Sequence, residues 1–372
     1  MPTRGKIMIR LATFNLENLF TRPVAMNQES DEAGRKAIED HATANGIVAK
    51  DVYSASDKIE LLNLTDKYKW HLLNPPKNAL VQLQKIRGQL FRKPQNGPVE
   101  VVANGRADWI GWFELRREDV NWKATFNTGR AIKETRPDIL IVIETENRPT
   151  LERFNDQVLR AQFQFPYKHF LVIDGNDDRG IDVGIMSRFP IVEIRSHVDD
   201  PGPDGNQLFS RDCPEYDILL PTEERLVVLP NHLKSKRNGN DQVSQDRRRA
   251  QAERVHSIAG AALSRSSFVL VGGDLNDTPA SSTLASLFTD GFQDVMSHPN
   301  YPTDRPGTYE TGLPGHKLDY LIMSPELRGK LTDTGIERRG SYHPHTWKPF
   351  DTVTKTSEEA SDHHLVWADF DF

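Results

Sequence analysis

The amino-acid sequence predicts an α/β fold in which β-sheet packs against β-sheet and helices cover the outside. Three observations lead to this prediction. Short apolar segments recur along the chain, clear helical periodicity is confined to a few segments, and the chain of 372 residues contains 24 glycines and 23 prolines. Chains rich in strands bury their apolar faces by stacking sheets, so the pattern predicts layers of sheet and helix.

The first strand is predicted at Met8–Phe14, where the residues alternate and are mostly apolar. A more continuous apolar strand, Asp138–Glu144, follows Pro137. Beyond it the pattern becomes regular, with strands predicted at Phe170–Ile173, Asp182–Met186, Leu226–Leu229, Phe268–Val271, Leu318–Ile322 and Leu365–Phe372.

The clearest helix is predicted at Arg247–Leu263, which carries one apolar stripe on its surface. The stripe consists of Val255, Ile258, Ala259 and Ala262. On this prediction the three arginines at 247–249 occupy the first turn, where the helix dipole disfavours positive charge. A phosphate-bearing partner would offset that cost, and so would the neighbouring Asp246, so the sequence leaves both explanations open.

Residues 24–122 are predicted to form an insertion between the first two strands. Apolar residues occur at helical spacing in Lys58–Leu73 and Ala79–Phe91, and an aromatic, strand-like run follows at 109–113. The large apolar residues predict a small core of its own, not a disordered linker. Its tryptophans could build that core or stack on nucleic-acid bases. We therefore expect a single domain, 1–372, that contains this helical and aromatic insertion.

Composition excludes several classes of protein. No apolar stretch is long enough for a transmembrane helix, and the N-terminus lacks the apolar region of a signal peptide. The single cysteine, Cys213, excludes an intrachain disulfide framework and a cysteine-based zinc site, and it fits a cytoplasmic location. The net charge of −6 argues against broad electrostatic binding to nucleic acid, although a local basic groove is compatible with it.

The informative residues are polar groups where predicted strands end or begin. Carboxylate, amide or imidazole side chains follow the apolar runs at 14–18, 143–147, 179–184, 231–236, 272–277 and 361–364, and they precede one at 316–320. Alternate residues of a strand share a face, so Asp274 and Asn276 are expected to project together, as are Asn15 and Glu17. Oxygen ligands of this kind suit Mg²⁺ or Mn²⁺.

The ordered series of these segments resembles the endonuclease/exonuclease/phosphatase superfamily, the deoxyribonuclease-like metal-dependent phosphodiesterases. The resemblance covers the first twenty residues and roughly 124–372, and the insertion has no counterpart. It implies a four-layered sandwich of two mainly antiparallel sheets with helices outside. A short motif such as Gly273-Asp-Leu-Asn276 is weak alone, but the order of all of them is specific.

The resemblance also implies roles for individual residues. Metal coordination is implied for Glu144 as the principal ligand, with Glu17 and Asp362 nearby; here Ile143 precedes Glu144 where the family usually has glutamine. Catalytic roles are implied for Asn15, His232, Asp274, Asn276, Asp319 and His363. The metal would polarise the phosphate, Asp274 and Asn276 would position and activate water, and Asp319 would orient His363. Which histidine acts as acid or base is left open by the sequence.

Three basic residues are candidates for binding substrate. Arg179 lies where some nucleases of the family carry a phosphate-contacting arginine, and Lys234 would share a face with His232 if that strand continued. Arg247 is the first of the three arginines in the predicted helix.

The resulting prediction is a Mg²⁺- or Mn²⁺-dependent phosphodiester hydrolase acting on nucleic acid. One alternative is a phosphodiesterase or phosphatase for a small-molecule or lipid phosphate, which the acidic net charge favours. A catalytically inactive binding scaffold is the third, although none of the expected acidic or imidazole positions is lost.

Overall fold

The computed structural model describes residues 6–19, 24–27, 31–72, 76, 79–117, 121–177, 179–236 and 241–372. The chain divides into two compact units. The larger unit comprises Met1–Phe20 and Val120–Phe372, and the smaller comprises Thr21–Asp119.

Strands and helices alternate irregularly along the described chain. The strands are β1 (Met8–Leu19), β2 (Val81–Gly88), β3 (Phe91–Arg92), β4 (Glu100–Val101), β5 (Trp109–Leu115), β6 (Ile139–Thr145), β7 (His169–Ile173), β8 (Asp182–Ser187), β9 (Ile191–Arg195), β10 (Glu215–Leu219), β11 (Arg225–His232), β12 (Phe268–Asp274), β13 (Gln293–Asp294), β14 (Asp319–Met323), β15 (Leu331–Glu337) and β16 (Leu365–Asp371). The α-helices are α1 (Asp31–Val48), α2 (Ala55–Tyr68), α3 (Trp122–Thr135), α4 (Arg148–Phe154), α5 (Gln242–Ala262) and α6 (Pro325–Arg328). None of these helices has the length and hydrophobicity needed to cross a bilayer.

The larger unit contains two six-stranded sheets. Their strand orders are β15-β16-β1-β6-β8-β7 and β13-β14-β12-β11-β10-β9. Each sheet has one parallel pair, β1 with β6 and β11 with β12, and its other pairs are antiparallel. The predicted α/β fold class, with two mainly antiparallel sheets, is confirmed.

Alternate residues of the central strands face different layers, which produces the sandwich. Ile141 of β6 and Leu270 of β12 belong to the core between the two sheets. Their neighbours point outward: Val142 packs in a cluster with Leu151 of α4, and Val269 packs with the α5 stripe. Each such side chain contributes about 1.5–3 kcal/mol when fully buried. The result is four layers, helix, sheet, sheet and helix.

Strand register brings the polar strand ends to one edge of the sandwich. In the first sheet Asn15 lies opposite Ile143, directly before Glu144. In the second sheet Asp274 lies opposite His232 on one side and Asp319 on the other. Because both parallel pairs end here, the chain places residues from distant parts of its sequence side by side.

Helix α5 begins earlier than the sequence predicts. It starts at Gln242, where the Asp241 carboxylate caps the helix by accepting a hydrogen bond from the Ser244 backbone N–H at 2.7 Å. Residues 247–249 therefore lie in the second turn, and their expected position in the first turn is wrong. The helix dipole gives no reason for a phosphate at these arginines, because its effect fades beyond the first turn.

The smaller unit has its own core, built around aromatic side chains. Trp70 and Trp109 are buried in it, whereas Trp112 is 45% exposed. The predicted helix at Ala79–Phe91 is wrong, because Val81–Gly88 forms β2 and pairs with β5. The spacing of Leu80, Leu83 and Ile86 fits a helix, but pairing with the 109–115 strand satisfies the backbone of both segments.

Candidate active site at the strand ends

The side chain of Asn15 connects the two sheets at their shared edge. Its amide donates to Glu144 Oε1 at 3.3 Å and to Asp274 Oδ2 at 3.4 Å. Its carbonyl oxygen accepts a hydrogen bond from the Glu17 backbone N–H at 3.1 Å. Asn15 is fully buried. The Asn15 amide therefore holds the Glu144 and Asp274 carboxylates, a predicted metal ligand and a predicted catalytic residue, close to each other.

Three of the sequence-predicted site residues have left-handed backbone conformations. Their φ angles are 33° at Glu17, 63° at Glu144 and 54° at Asn276. Such conformations cost about 1–3 kcal/mol at non-glycine residues and are concentrated at functional sites. Here they turn the chain at the strand ends. Asn276 then donates from its side chain to the Leu233 carbonyl at 3.2 Å, which ties the loop to the end of β11.

Asp274 lies between the two candidate histidines. Its Oδ2 is 3.7 Å from His232 Nε2 and 3.9 Å from His363 Nε2, and its Oδ1 accepts from the Asn276 backbone N–H at 2.9 Å. Burial raises the pKa of Asp274 to about 7, although the His363 charge acts in the opposite direction. A carboxylate with this pKa can accept a proton near neutral pH.

His363 is held by a buried carboxylate. Its Nδ1 lies 2.8 Å from Asp319 Oδ2, which also accepts a hydrogen bond from the Thr308 hydroxyl at 2.6 Å. Burial alone lowers the pKa of His363, but the Asp319 charge and hydrogen bond outweigh it and raise that pKa well above the usual range. The Asp319 carboxylate therefore favours the protonated form of the His363 imidazole.

The surroundings of His232 favour the neutral imidazole instead. It is buried at the end of β11, and its Nδ1 has no hydrogen-bond partner among the described residues. Burial, followed by the nearby Arg211 charge, lowers the pKa of His232 well below the usual range. The two histidines, equivalent in the sequence, thus differ in protonation because only His363 has a carboxylate partner at hydrogen-bond distance.

The three residues predicted as metal ligands form an acidic group beside Asp274. Glu17 Oε2 accepts from the Asp362 backbone N–H at 2.9 Å. Burial and then the Asp362 charge raise the pKa of Glu17 to about 7. Burial raises the pKa of Asp362 as well, and Glu144 adds to that increase. These carboxylates repel one another, and a divalent cation that prefers oxygen ligands would relieve the repulsion.

A second set of potential ligands lies next to this acidic group. Within the described part of the chain, ligand atoms of Asp274, Asp319 and His363 lie within 4.8 Å of one another. Glu17, Glu144 and Asp362 do not form such a tight group among the described residues. The donor chemistry of the acidic group fits a divalent metal ion, since its ligand atoms are carboxylate oxygens. The second set would bind a metal only if His363 lost its proton, because a metal ligand must be a neutral imidazole.

Within the described chain, hydrogen bonds from the predicted substrate-binding residues go to groups outside this acidic group. Arg179 bonds to Asp177, with Nε–Oδ1 at 2.9 Å and Nη2–Oδ2 at 2.7 Å. Arg247 donates to the carbonyl oxygens of Gln207 and Leu208. The strand does not continue to Lys234, on which its expected shared face with His232 depended: β11 ends at His232, and the Lys234 backbone N–H donates to the Gln251 side chain.

Two buried cations near the site were missed by sequence reasoning. The Lys317 ammonium donates a hydrogen bond to the Asp319 carbonyl and lies 3.0 Å from Asp294 Oδ2. Lys317 thereby holds Asp319, the residue that orients His363. Arg211 lies in the loop before β10, and its charge acts on His232. Lys317 directly precedes a predicted strand, but no motif draws attention to Arg211.

Comparison with known proteins gives a consistent result. The profile of the Endonuclease/Exonuclease/phosphatase family matches residues 124–363, well over half of the chain. The chain is similar to an endonuclease/exonuclease/phosphatase from Beutenbergia cavernae DSM 12333, with 16% identity, coverage of 69% of this chain and 67% of that chain, and a TM-score of 0.49. It is also similar to truncated TDP2 from Caenorhabditis elegans, with 18% identity, coverage of 67% of this chain and 91% of that chain, and a TM-score of 0.47. A third similar structure is beta toxin 275-280 from Staphylococcus aureus, with 16% identity, coverage of 67% of this chain and 93% of that chain, and a TM-score of 0.47. No curated protein matches the chain.

Proposed function

Because this chain belongs to the endonuclease/exonuclease/phosphatase family, whose members hydrolyse phosphate esters, we propose that it is a nuclease dependent on Mg²⁺ or Mn²⁺. One observation carries the proposal: the Asn15 amide joins Glu144 to Asp274, and both histidines surround the same Asp274 oxygen. Phosphodiester hydrolysis needs a proton acceptor for water and positive charge at the phosphate, and this arrangement supplies both.

Asp274 is proposed to accept the proton of the attacking water. Its carboxylate is aimed by Asn15 and by the backbone N–H of Asn276, so that water bound to Asp274 would be held in one place. Positioning and proton transfer of this kind contribute about 10²–10⁴ in rate. The Asn276 side chain completes the loop geometry through Leu233.

The two histidines are proposed to act differently. His363, protonated and paired with Asp319, stabilises negative charge that develops on the phosphate or donates a proton to the leaving oxygen. His232 is neutral and contributes hydrogen bonding without a full charge. The distinction follows from their surroundings, because burial penalises a charged imidazole unless a carboxylate compensates.

The acidic group is proposed to hold the metal, with Glu144 as principal ligand and Glu17 and Asp362 nearby. A bound Mg²⁺ or Mn²⁺ would supply Lewis-acid polarisation of the phosphate. The protein's own contribution is to gather these carboxylates against their mutual repulsion.

Metal binding should stabilise the protein in a pH-dependent manner. Glu17 and Asp274 have pKa values of about 7 in the folded chain, above the usual value near 4 of unfolded carboxyls. The folded state therefore binds more protons between about pH 4 and pH 7, and the free energy of unfolding falls as pH rises through that window. Metal binding needs ionised ligands, so it competes with these protons.

We expect millimolar Mn²⁺ to raise Tm by about 3–5 °C at pH 8 and by less than about 1 °C at pH 5. EDTA should reverse the increase. Differential scanning fluorimetry at both pH values measures it. An equal increase at pH 5 and pH 8 would mean that the metal binds outside the acidic group.

The nuclease proposal is tested by supplying purified protein and Mg²⁺ or Mn²⁺ with plasmid DNA, single-stranded RNA and bis(p-nitrophenyl) phosphate. We expect cleavage of at least one nucleic acid, abolished by EDTA, with the Asp274→Asn protein as the control for contaminating nucleases. Hydrolysis of the small diester alone would refute the nuclease assignment and support the small-phosphodiester alternative.

A further inference from the structure

The smaller unit exposes one face of the hairpin formed by β2 and β5. Val81 and Phe113, on the other face, belong to the aromatic core of this unit. Trp112 and Ile110 point away from that core, and they are 45% and 36% exposed. Alternate residues of a strand share a face, so these two side chains are neighbours on the surface. Contiguous exposed apolar surface of this kind is typical of a binding site.

A β-bulge brings a positive charge to the same face. Gln84 lies opposite Trp112, and Arg87 lies opposite Ile110. The spacing differs between the two strands because β2 contains one extra residue, Ile86, at this point. Directly opposed residues share a face, so all four paired side chains project on the same side of the hairpin. We call the surface formed by these residues and their neighbour along β2 the hairpin face: Gln82, Gln84, Arg87, Ile110 and Trp112.

The chain around β2 is strongly basic, although the protein as a whole is acidic. Residues 67–99 contain seven lysines and arginines and no aspartate or glutamate, whereas the whole chain has a net charge of −6. Lys85, Arg87 and Lys93 are exposed, and they form no ion pair with any described residue. A concentration of positive charge without acidic partners favours binding of a polyanion.

Basic side chains from two segments also come together near β2. Burial and then the charges of Lys93 and Lys69 lower the pKa of His71, so both ammonium groups lie close to the same imidazole. The intervening Trp70 donates from its indole to the Val81 carbonyl at 2.9 Å, which places this part of the chain beside the start of β2. The positive charge is therefore a property of the folded unit as well as of the sequence.

We propose that the hairpin face binds single-stranded nucleic acid, with the Trp112 indole stacked on a base and the Arg87 guanidinium bonded to a phosphate. Stacking on an exposed indole needs an unpaired base, which favours a single strand over a duplex. DNA and RNA strands share the bases' π-faces and the phosphates, so this chemistry recognises both.

The inference goes beyond the proposed nuclease function. The smaller unit, Thr21–Asp119, contains none of the proposed catalytic residues or metal ligands. Binding is therefore measured separately from cleavage, and the two proposals can fail independently.

The test measures binding of the full-length protein to fluorescein-labelled oligo(dT) and oligo(U) of about 12 nucleotides by fluorescence anisotropy, in EDTA to prevent cleavage. We expect the logarithm of the binding constant to fall against the logarithm of salt concentration with a slope of about −2, as three phosphate contacts would give. A duplex of the same length should bind at least about fivefold more weakly, because its bases are not available for stacking.

Two variants separate stacking from charge. Trp112→Ala should weaken binding by about 5–100-fold, and Trp112→Phe should weaken it less. Arg87→Gln should make the salt slope shallower by about 0.7, the value of one phosphate contact on a single strand. The matched controls are Trp122→Ala, a 51% exposed tryptophan of the larger unit, and Lys58→Gln on α2, and neither should change the affinity by more than about twofold.

Thermal melts establish that each variant is folded, and the exposed Arg87 keeps the inference falsifiable if Trp112→Ala does not fold. An unchanged affinity in folded Trp112→Ala overturns the proposal, and so does an unchanged salt slope in Arg87→Gln should that variant alone fold. Absence of saturable binding up to about 100 µM protein also overturns it. So does binding that depends on Trp112 but occurs only with phosphatidylserine-containing vesicles. Binding that follows the expected pattern, without cleavage of any nucleic acid in Mn²⁺, would support this inference and refute the nuclease function instead.

Discussion

Replacing Asp274 with asparagine is expected to lower kcat by about 10²–10⁴-fold and leave the protein folded. The asparagine preserves the size of the side chain and can still accept a hydrogen bond from Asn15, but it cannot take a proton from water. Burial raises the pKa of Asp274 to about 7, so its ionised form weakens the fold above that pH. The Tm of the variant at pH 8 should therefore be equal to or higher than that of the wild type.

The measurement is a steady-state assay on whichever substrate the wild-type enzyme cleaves, together with a thermal melt. Asp290→Asn serves as the matched control, because the Asp290 side chain is 78% exposed and lies outside the site. A turnover within about threefold of wild type would show that Asp274 is not the proton acceptor, whatever the Tm.

The second large effect is expected from Glu144→Gln. This change replaces the proposed principal ligand by a neutral amide, and we expect affinity for Mn²⁺ to fall by at least about 100-fold. The shape of the side chain is kept, so the link through Asn15 can persist while the charge that attracts the cation is lost. Activity at fixed, limiting Mn²⁺ should fall by a similar factor.

Electron paramagnetic resonance of free Mn²⁺ measures the affinity directly, without relying on turnover. Glu146→Gln is the natural control, because it removes a carboxylate two residues further along, beyond the end of β6. If Glu144→Gln binds Mn²⁺ as the wild type does, the metal is held elsewhere, and the tight group of Asp274, Asp319 and His363 becomes the place to examine.

Parts of the fold could be predicted because local sequence was sufficient to specify them. The predicted strand Asp138–Glu144 contains the continuous apolar run Ile139–Ile143 after Pro137, and the strand is observed at Ile139–Thr145. The α5 stripe faces the second sheet as its spacing indicates. The segment Ala79–Phe91 shows where local sequence is not sufficient. Its apolar spacing fits a helix as well as a strand, and it forms a strand because it pairs with β5.

The candidate site, like the fold, could be predicted only in part from the sequence. Motif order was enough to select Asn15, Glu144, His232, Asp274 and His363, and the structure brings them to one edge. The sequence could not predict that the pKa of His363 is raised and that of His232 lowered, because these shifts depend on which buried groups lie next to each imidazole. Arg211 could not be predicted either, since a single arginine before a strand has no distinctive pattern until its surroundings are known.

By itself, the sequence determined which chemical groups this protein has available and the periodicity that arranges them on strands and helices. Only the tertiary structure decided which of them meet, because contacts between residues hundreds of positions apart depend on strand order and register. It also decided their protonation, since a pKa depends on burial and on the charges nearby. Strand pairing therefore turns a series of separate polar strand ends into a single site.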